Sequence, residues 1–236
     1  MDLYALSVKG SEKSHNEDRI VIDDLIIYDK FIVIENAQPR VAGIADGVGG
    51  NAGGELASEF VCKNALSLHD ENILMKSAEL NRRLLEYAET FKEKEKMATT
   101  FSAVIFDGPD KIIHMGNTRI YAVQGNYLKQ LTNDHTTYNA LLSRGLFRQA
   151  ELCNKNEILT CFGGGTSRFF EPDIYALSEF SQFIVTSDGI HDFIDTDSIE
   201  EIIRTENDTE TICSKIVECA LQNGSYDDMS ILIIKK

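Results

Sequence analysis

The sequence predicts an α+β fold, mainly from the order of its segments. Short runs of β-branched and aromatic residues, separated by turn residues, occupy the start and the middle of the chain. Two stretches with apolar residues at helical spacing interrupt these strands, and two more precede the last strand. Because strands come in consecutive runs and do not alternate strictly with helices, we do not expect a parallel α/β sheet.

The first half of the chain predicts strands and then a pair of helices. The strands are short apolar runs that end near turn-forming residues, and they cover 3–8, 19–23, 25–28, 31–35 and 41–45. The helices cover 55–66 and 71–94, where apolar residues recur every three or four positions with charged residues between them. We interpret these apolar positions as core contacts.

The second half predicts a meander of strands, followed by helices and one final strand. The meander covers 99–106, 111–115, 119–123 and 127–131. After it we expect a helix over 136–143, strands over 172–177 and 183–186, helices over 199–204 and 209–221, and a strand over 229–235. Thr196-Asp197-Ser198 is expected to cap the helix that follows it. The segment 144–160 has no clear pattern.

The composition indicates one globular domain, 1–236, with a strong acidic excess. The formal net charge of −15 argues against nucleic acid as a partner, because no basic stripe is available for a phosphate backbone. Five scattered cysteines without a C-x-x-C pair fit reduced thiols better than a disulfide framework or a zinc site. Without a signal-like start or a long apolar run, we expect a soluble, cytoplasmic monomer that does not contact membranes.

Carboxylates recur at places where a predicted strand begins or ends. In chain order they are Asn16-Glu17-Asp18 in the first long loop, Asp46 after the strand 41–45, Asp188 after the strand 183–186, and Asp227-Asp228 before the last strand. Strand ends hold side chains on a rigid frame and leave them open to solvent, which suits metal ligands and catalytic groups.

Separated carboxylates cannot gather in one place without a cation, because like charges repel at close range. Oxygen ligands without histidine or cysteine alongside select hard divalent ions such as Mg²⁺ or Mn²⁺. Two such ions can lower the pKa of a bridging water and stabilise an in-line attack on phosphorus. The residues alone leave an alternative open, in which these are surface turns that are acidic because the whole protein is acidic.

A dinucleotide-binding interpretation can be set aside. Gly47-x-Gly49-x-x-Ala52 after a strand resembles the glycine fingerprint of that class. The fingerprint needs repeated strand–helix–strand units and an acidic residue about 20 positions further on. Here the first glycine follows Asp46, whose carboxylate would repel a pyrophosphate.

Seven short motifs follow one another along nearly the whole chain. They are Asn16-Glu17-Asp18, Asp46-Gly47-x-Gly49-Gly50, Ala98-Thr99-Thr100, Gly116-x-x-Arg119, Leu131-Thr132-x-Asp134-His135, Thr186-Ser187-Asp188-Gly189 and Gly224-Ser225-x-Asp227. Each is weak alone. Together and in this order they resemble the metal-dependent protein phosphatases of type 2C, the PPM family, and in particular its compact bacterial members.

This resemblance implies a four-layer α-β-β-α sandwich, in which two antiparallel sheets pack face to face with helices on both outer sides. It implies a metal site at one end of the sandwich. The implied reaction is hydrolysis of phosphoserine and phosphothreonine in proteins by a water that bridges two divalent ions, Mg²⁺ or Mn²⁺. The implied partners are phosphoproteins made by a serine/threonine kinase.

The resemblance also implies residue roles. The implied metal ligands are Asp46 as the bridge between both ions, the carbonyl of Gly47 on one ion, Asp188 and Asp227 on the second ion, and Glu17 and Asp18 through metal-bound waters. Lys13 would bind the substrate phosphate and, with Asp46 and Asp188, form the catalytic set. Thr99, Thr186 and Ser187 would support the ligands and would not react themselves.

Three positions depart from the family pattern. Lys13 stands where many members have arginine, so it supplies charge without the planar two-pronged contact. Val48 stands where some members have a histidine, and we interpret His15 in the nearby loop as a bystander, so leaving-group protonation has no assigned side chain. Asn117 replaces an aspartate proposed to hold a third metal, so we expect two tightly held ions and a weak third site.

Three hypotheses follow. The first is the metal-dependent phosphatase. The second is a catalytically weak phosphoprotein-binding or regulatory member, which Lys13 and Asn117 favour. Retention of Asp46, Asp188 and Asp227 favours the enzyme. The third is a different two-metal phosphohydrolase that acts on small or nucleic-acid esters, and the acidic composition counts against its nucleic-acid form.

Overall fold

The structure is a computed structural model that describes residues 1–48, 53–165, 170–177 and 180–236. Its strands are β1 Asp2–Val8, β2 Arg19–Ile22, β3 Leu25–Ile27, β4 Lys30–Ile34, β5 Val41–Ala45, β6 Ala98–Thr99, β7 Phe101–Ile105, β8 Lys111–Met115, β9 Arg119–Gln124, β10 Tyr127–Gln130, β11 Phe162–Gly163, β12 Asp173–Ala176, β13 Gln182–Thr186 and β14 Met229–Lys235. Its α-helices are α1 Gly54–Lys63, α2 Ile73–Ala88, α3 Thr137–Ser143, α4 Phe147–Leu152, α5 Asp188–His191, α6 Thr196–Thr205 and α7 Thr209–Gln222, and a 3₁₀ helix covers Ala65–Leu68.

Antiparallel pairing joins most of the strands into two six-stranded sheets. The first sheet has the order β10-β9-β13-β14-β1-β4, and the second has the order β12-β8-β7-β5-β2-β3. Neighbouring strands in both sheets run antiparallel. The predicted α+β class is therefore confirmed.

Three apolar cores hold the layers together. Leu3, Ile44 and Leu232 meet between the two sheets. Val61 of α1 and Leu84 of α2 pack on the outer face of the second sheet. A third core joins α6 and α7 to the outer face of the first sheet. The order of layers is thus helix, sheet, sheet, helix, and the predicted four-layer sandwich is confirmed.

Strand β14 shows how one sequence run serves two cores. Ile231 and Ile233 belong to the core under α7, whereas Leu232 and Ile234 belong to the core between the sheets. Successive side chains of a strand point to opposite faces, so a strand covered on both faces is a continuous apolar run. Each buried Leu or Ile side chain contributes about 1.5–3 kcal/mol. This burial fixes the strand that begins next to the predicted acidic site.

The predicted strand 99–106 was wrong as a single element. Thr100 interrupts it, because the Thr100 N–H donates to the carbonyl of Asp46 at 2.8 Å. On one side, β6 pairs with the short strand β11, which the sequence did not predict. On the other side, β7 continues into the second sheet.

Helix boundaries also differ from the predictions. The helix predicted over 71–94 ends at Ala88, since residues after it form turns. The predicted cap of α6 was wrong by one residue, because the carboxylate of Asp195 accepts the Ser198 N–H at 2.8 Å and the helix already begins at Thr196. The short helices α4 and α5 were not predicted, since one or two turns carry too little periodicity.

Residues 136–160 form a separate stretch that we call the α3–α4 segment. It closes on itself through hydrogen bonds from the Thr137 N–H to the Glu157 carbonyl at 2.9 Å and from the Leu159 N–H to the His135 carbonyl at 2.8 Å. Helix α3 has no buried residue, and α4 buries only Ala150. Its exposed large apolar side chains are Leu146, Phe147, Leu152 and Leu159. The segment is therefore weakly packed compared with the sandwich.

None of the helices in the described ranges combines the length and the apolar character needed to cross a membrane.

Candidate metal centre

The register of the first sheet brings two predicted ligands together. In an antiparallel pair, the end of one strand lies beside the start of its partner. Thr186, the last residue of β13, pairs with Ile231 near the start of β14. Asp188 follows β13 and Asp227 precedes β14, so both lie at the same edge of this sheet.

The second sheet does the same for two further carboxylates. Ala45, the last residue of β5, pairs with Arg19, the first residue of β2. Asp46 follows Ala45, and Asp18 precedes Arg19. The two sheets therefore each present a pair of acidic residues at a strand edge, as the sequence predicted.

The two pairs meet at one end of the sandwich. The carboxyl groups of Asp46 and Asp188 are in hydrogen-bonding contact. Burial, followed by the negative charges of Asp188, Asp18 and Asp227, raises the pKa of Asp46 well above its ordinary value. Burial and the charge of Asp227 also raise the pKa of Asp188. Such a pair requires either a shared proton or a cation.

Asp18 is held within the cluster by hydrogen bonds. Its side chain accepts the hydroxyl of Ser187 at 2.7 Å, and its N–H donates to the side-chain oxygen of Asn16 at 2.9 Å. Asp18 is only 1% exposed. Burial, and then the charge of Asp228, raises the pKa of Asp18. A carboxylate this deeply buried needs positive charge nearby at neutral pH.

Asp228 is a site residue to which sequence reasoning assigned no role. Its two carboxylate oxygens accept the N–H groups of Gly10 at 2.8 Å and Glu17 at 2.7 Å. These donors stand at the two ends of the loop that carries Lys13. The only sequence signal was the Asp227-Asp228 doublet before the last strand, which does not say which carboxylate faces the loop.

Lys13 lies among the carboxylates and bridges two of them. Its ammonium lies 2.8 Å from the carboxylate of Asp227 and 3.2 Å from that of Glu17. Burial alone would lower the pKa of Lys13, but these two carboxylates hold it above its ordinary value. Lys13 is therefore the local counter-charge of the cluster, and its contact with a substrate phosphate stays a prediction.

The backbone of Asp46 is fixed on both sides by neighbouring threonines. Its carbonyl accepts the hydroxyl of Thr99 and the N–H of Thr100, both at 2.8 Å. Its N–H donates to the hydroxyl of Thr100 at 3.1 Å. Thr99 and Ser187 thus support the carboxylate-bearing segments, whereas the hydroxyl of Thr186 contacts His191. These hydrogen bonds fix the backbone of Asp46 and therefore the orientation of its side chain.

Gly47 is required by close packing. A Cβ atom at this position would lie 2.7 Å from the backbone of Gly54 and 2.8 Å from the side chain of Glu17. The Gly47 N–H donates to the Glu17 carbonyl at 3.2 Å, which ties the two acidic loops together. Its carbonyl as a metal ligand stays a prediction. Gly49 and Gly50 of the same motif lie outside the described residues.

Asn117 stands next to the acidic pair. Its amide nitrogen donates to the carboxylate of Asp188 at 2.9 Å. Its amide oxygen is buried and has no hydrogen-bond partner among the described residues. The other two departures lie near the site in sequence: Val48 follows Gly47, and His15 is exposed in the Lys13 loop.

The donor set fits hard divalent cations, because it consists of carboxylate oxygens with an amide oxygen beside them. Within the described ranges, no three His, Cys, Asp or Glu side chains already stand as a metal cage. Instead, the ammonium of Lys13 contacts Glu17 and Asp227, and the carboxyl groups of Asp46 and Asp188 contact each other. Cations at the site would replace these contacts.

Comparisons with known proteins agree with this geometry. No protein-family model matches the chain. The serine/threonine phosphatase stp of Listeria welshimeri is 25% identical over 246 residues, covering 97% of this chain and 93% of that protein. The crystal structure of the serine/threonine phosphatase Stp1 from Staphylococcus aureus aligns with a TM-score of 0.82 at 23% identity, covering 99% of this chain and 94% of that one.

A third comparison is with a structure that contains metal ions. The catalytic domain of the serine threonine protein phosphatase PstP, in a complex with 2 manganese ions, aligns with a TM-score of 0.76 at 23% identity, covering 99% of this chain and 98% of that one. The solved structures establish the fold, and the Listeria phosphatase is similar in sequence over nearly the whole chain. With the seven motifs in their order, these likenesses support the resemblance of the chain to the compact bacterial metal-dependent protein phosphatases of type 2C, the PPM family.

Proposed function

We propose that the protein hydrolyses phosphoserine and phosphothreonine in other proteins, with two Mg²⁺ or Mn²⁺ ions bound by the strand-end carboxylates. The observation that carries this proposal is the half-buried pair of Asp46 and Asp188, whose carboxyl groups contact each other beside Asp18 and Asp227. Such a cluster is disfavoured in a folded protein unless cations neutralise it. This cost to stability supports metal binding as the role of the cluster.

Two divalent ions, when bound, supply positive charge to the phosphate and lower the pKa of the attacking water. The chain positions everything else. Asp46, Asp188 and Asp227 would hold the ions. Asp18, fixed by Ser187, and Glu17 are placed to accept hydrogen bonds from water in the site. No side chain is required to form a covalent phospho-intermediate.

Lys13 is the residue we assign to the substrate phosphate. With Glu17 and Asp227 turned to the ions, Lys13 would lose both of its present partners. Its ammonium would then be available to a phosphate dianion at the same end of the sandwich. The raised pKa keeps this group charged, because the surrounding carboxylates favour the protonated form.

The test is a hydrolysis assay with p-nitrophenyl phosphate and phosphothreonine peptides, with Mn²⁺, with Mg²⁺ and with a chelator. We expect both substrates to be hydrolysed with metal and neither with chelator. Asp197→Asn, which changes an exposed carboxylate in the first turn of α6, is the matched control for Asp46→Asn. Equal activity of wild type and Asp46→Asn at saturating Mn²⁺ would refute the metal centre.

A second candidate is a phosphoprotein-binding protein with little turnover. The contact of Lys13 with two of the assigned ligands favours it, because a lysine that neutralises this cluster competes with metal. This candidate predicts that phosphopeptides bind while saturating Mn²⁺ produces no hydrolysis. The assay above therefore separates the two.

We further propose that the protein acts as a monomer in the cytoplasm, on the products of a serine/threonine kinase. The buried thiols of Cys62 and Cys213 fit a reducing compartment. The mass in solution, measured by light scattering at assay concentration, tests the first point. A dimeric mass would overturn it.

A further inference from the structure

Arg19 follows the Asn-Glu-Asp motif and has no role in the motifs or in the proposed reaction. It is the first residue of β2 and is only 6% exposed. The Nη1 atom of its guanidinium donates to the carbonyls of Asn16 and Asp18, both at 2.7 Å. These two carbonyls flank Glu17 in the chain. The guanidinium therefore fixes the backbone on both sides of Glu17, in the stretch that we call the 16–18 loop.

Three further hydrogen bonds hold the middle of the 16–18 loop. The Glu17 N–H donates to the carboxylate of Asp228 at 2.7 Å. The Glu17 carbonyl accepts the N–H of Gly47 at 3.2 Å and the hydroxyl of Ser58 at 2.6 Å. With these bonds and those of Arg19, polar groups before, within and after Glu17 have partners. The backbone of the loop, and with it the direction of its two acidic side chains, is therefore set from several elements at once.

The position of Arg19 also connects the loop to the rest of the metal centre. Arg19 pairs with Ala45 in the second sheet, and Asp46 follows Ala45. The side chain of Asp18 reaches the first sheet, where it accepts the hydroxyl of Ser187. A shift of the 16–18 loop would thus move Asp18 relative to carboxylates of both sheets.

An arginine at this buried position is costly for stability. Its Nε is buried and has no hydrogen-bond partner among the described residues. The carboxylate of Glu59 lies 3.9 Å from the nearest guanidinium nitrogen, which is longer than a hydrogen bond. The ring of Tyr28, 4.2 Å from the guanidinium carbon, recovers part of this cost. The two bonds to the loop are therefore the main contacts that an arginine makes here and an apolar residue could not.

We propose that Arg19 is a positioning residue of the metal centre, which holds the 16–18 loop so that Glu17 and Asp18 face the ions. The inference rests on the proposed function, in which these two carboxylates act through metal-bound waters. Residues behind the ligands of a metal site typically contribute ~10–100-fold to metal affinity or activity. Arg19 is buried and contacts no substrate, so we expect it to act on metal affinity more than on kcat.

The experiment titrates the metal-free, full-length protein with Mn²⁺ in a calorimeter. Arg19→Met keeps much of the side-chain volume and removes both donors to the loop. We expect this variant to bind Mn²⁺ about tenfold more weakly than the wild type. Arg19→Lys should lie between them, because it retains charge and donors but not the planar fork. At saturating Mn²⁺, kcat on p-nitrophenyl phosphate should change less than the affinity for the ion.

Two control variants separate this role from a general effect of losing an arginine or an ion pair. Arg83 is an exposed arginine of α2 that donates to the side chain of Asn64 at 2.8 Å and lies 5.9 Å from the ring centre of Phe60. Arg83→Met should leave the Mn²⁺ affinity unchanged. Glu59→Gln removes the nearest charge from the guanidinium of Arg19 but keeps its bonds to the loop, so it should also leave the affinity unchanged.

The deciding measurement places Arg19→Met in a protein that already carries Glu17→Gln and Asp18→Asn. A residue that acts through these two carboxylates should have little further effect on Mn²⁺ affinity once they are gone. A full tenfold loss in that background would show that Arg19 acts elsewhere and would overturn the inference. So would an unchanged affinity in Arg19→Met alone. If Arg19→Met does not fold, Arg19→Lys decides, and an unchanged affinity in that variant overturns the inference.

Hydrolysis is measured separately, so this inference and the proposed function can fail independently. A wild type that binds Mn²⁺ but hydrolyses neither p-nitrophenyl phosphate nor phosphothreonine peptides would count against the proposed function, while the titrations still test Arg19. Hydrolysis by the wild type together with an unchanged Mn²⁺ affinity in Arg19→Met would overturn the inference alone. A wild type that binds no Mn²⁺ would overturn both.

Discussion

The strand-end cluster and the α3–α4 segment border the same site but are built in opposite ways. Asp46, Asp188 and Asp227 stand beside β5, β13 and β14, whose residues are almost all buried. In the α3–α4 segment, by contrast, Ala150 is the one buried residue of the two helices, and the side chain of Asn156 donates to Asp192 of the sandwich at 2.7 Å. The comparison teaches that the predicted metal ligands stand on rigid strands, whereas the neighbouring α3–α4 segment is weakly packed.

The largest expected effect comes from substitutions in the strand-end cluster. Asp46→Ala and Asp188→Ala should each lower hydrolysis by at least about 100-fold, because even residues behind the ligands of a metal site typically contribute ~10–100-fold. The fold should persist, since both side chains project from strand ends. Metal-free thermal stability should stay equal or rise, because one of several repelling carboxylates is gone. Steady-state assays and thermal unfolding in chelator measure both outcomes.

Asp197→Asn again provides the control, since it removes a carboxylate from an exposed helix. If Asp188→Ala lost activity together with its fold, ligation could not be separated from structure. Asp188→Asn then decides, because it keeps the volume and removes only the charge. Near-normal turnover in Asp188→Asn at saturating Mn²⁺ would show that this residue is not a ligand.

The same contrast explains how much could be predicted from the sequence. The strands next to the predicted ligands are apolar runs with clear ends, so Val41–Ala45 and Met229–Lys235 were placed correctly. The α3–α4 segment lacks a buried face, so no periodic signal marked Phe147–Leu152. Hydrogen bonds between distant residues left no local signal at all. Asp228, which bonds to Gly10 and Glu17, is the example.

The second prediction concerns the junction between the two regions. His114 of β8 is fully buried, hydrogen-bonds to Ser102 and to the Asn133 carbonyl at 2.8 Å, and faces the ring of His135 at 4.6 Å. Burial and the neighbouring His135 lower the pKa of His114 to about 3. The unfolded chain therefore binds a proton that the folded protein excludes, between the ordinary pKa of 6.5 and about 3.

Because the folded protein binds this proton less well than the unfolded chain, the free energy of unfolding decreases as pH falls below about 6.5. His114 contributes up to ~1.4 kcal/mol per pH unit to this decrease. Urea unfolding of wild type and His114→Gln in chelator, between pH 7 and pH 5, measures it. The variant should be less stable at pH 7 but should show a shallower loss towards pH 5. Replacement of the exposed His15 is the control. Parallel slopes for wild type and His114→Gln would contradict the prediction.

The third prediction tests whether Lys13, which contacts the strand-end cluster, also binds the substrate phosphate. Lys13→Ala should raise KM roughly tenfold with kcat nearly held, since a hydrogen bond to a charged group contributes about 1.5–3 kcal/mol. Lys13→Arg should retain or improve affinity, because arginine can form a two-pronged contact with phosphate. Initial rates on a phosphothreonine peptide across substrate concentrations measure both. An unchanged KM in Lys13→Ala would remove this residue from the phosphate site.

The smallest expected effect lies where the two regions meet, at Asn117. Its amide contributes coordination but no charge, and hard cations are held mainly by carboxylate charge. We therefore expect two tightly held ions, with a third site weak or empty at modest Mg²⁺.

In Asn117→Asp a second carboxylate would face Asp188, where the amide now donates a hydrogen bond at 2.9 Å. This substitution should slightly lower the stability of the metal-free protein and strengthen the binding of a third ion. The gain in binding free energy should be about that of one hydrogen bond, so activity at low metal concentration should increase a few-fold. Titration calorimetry or anomalous scattering from Mn²⁺-soaked crystals counts the ions in both proteins. Three fully occupied ions in the unmodified protein, with Asn117 as a ligand of the third, would show that an amide is sufficient here and that this prediction is wrong.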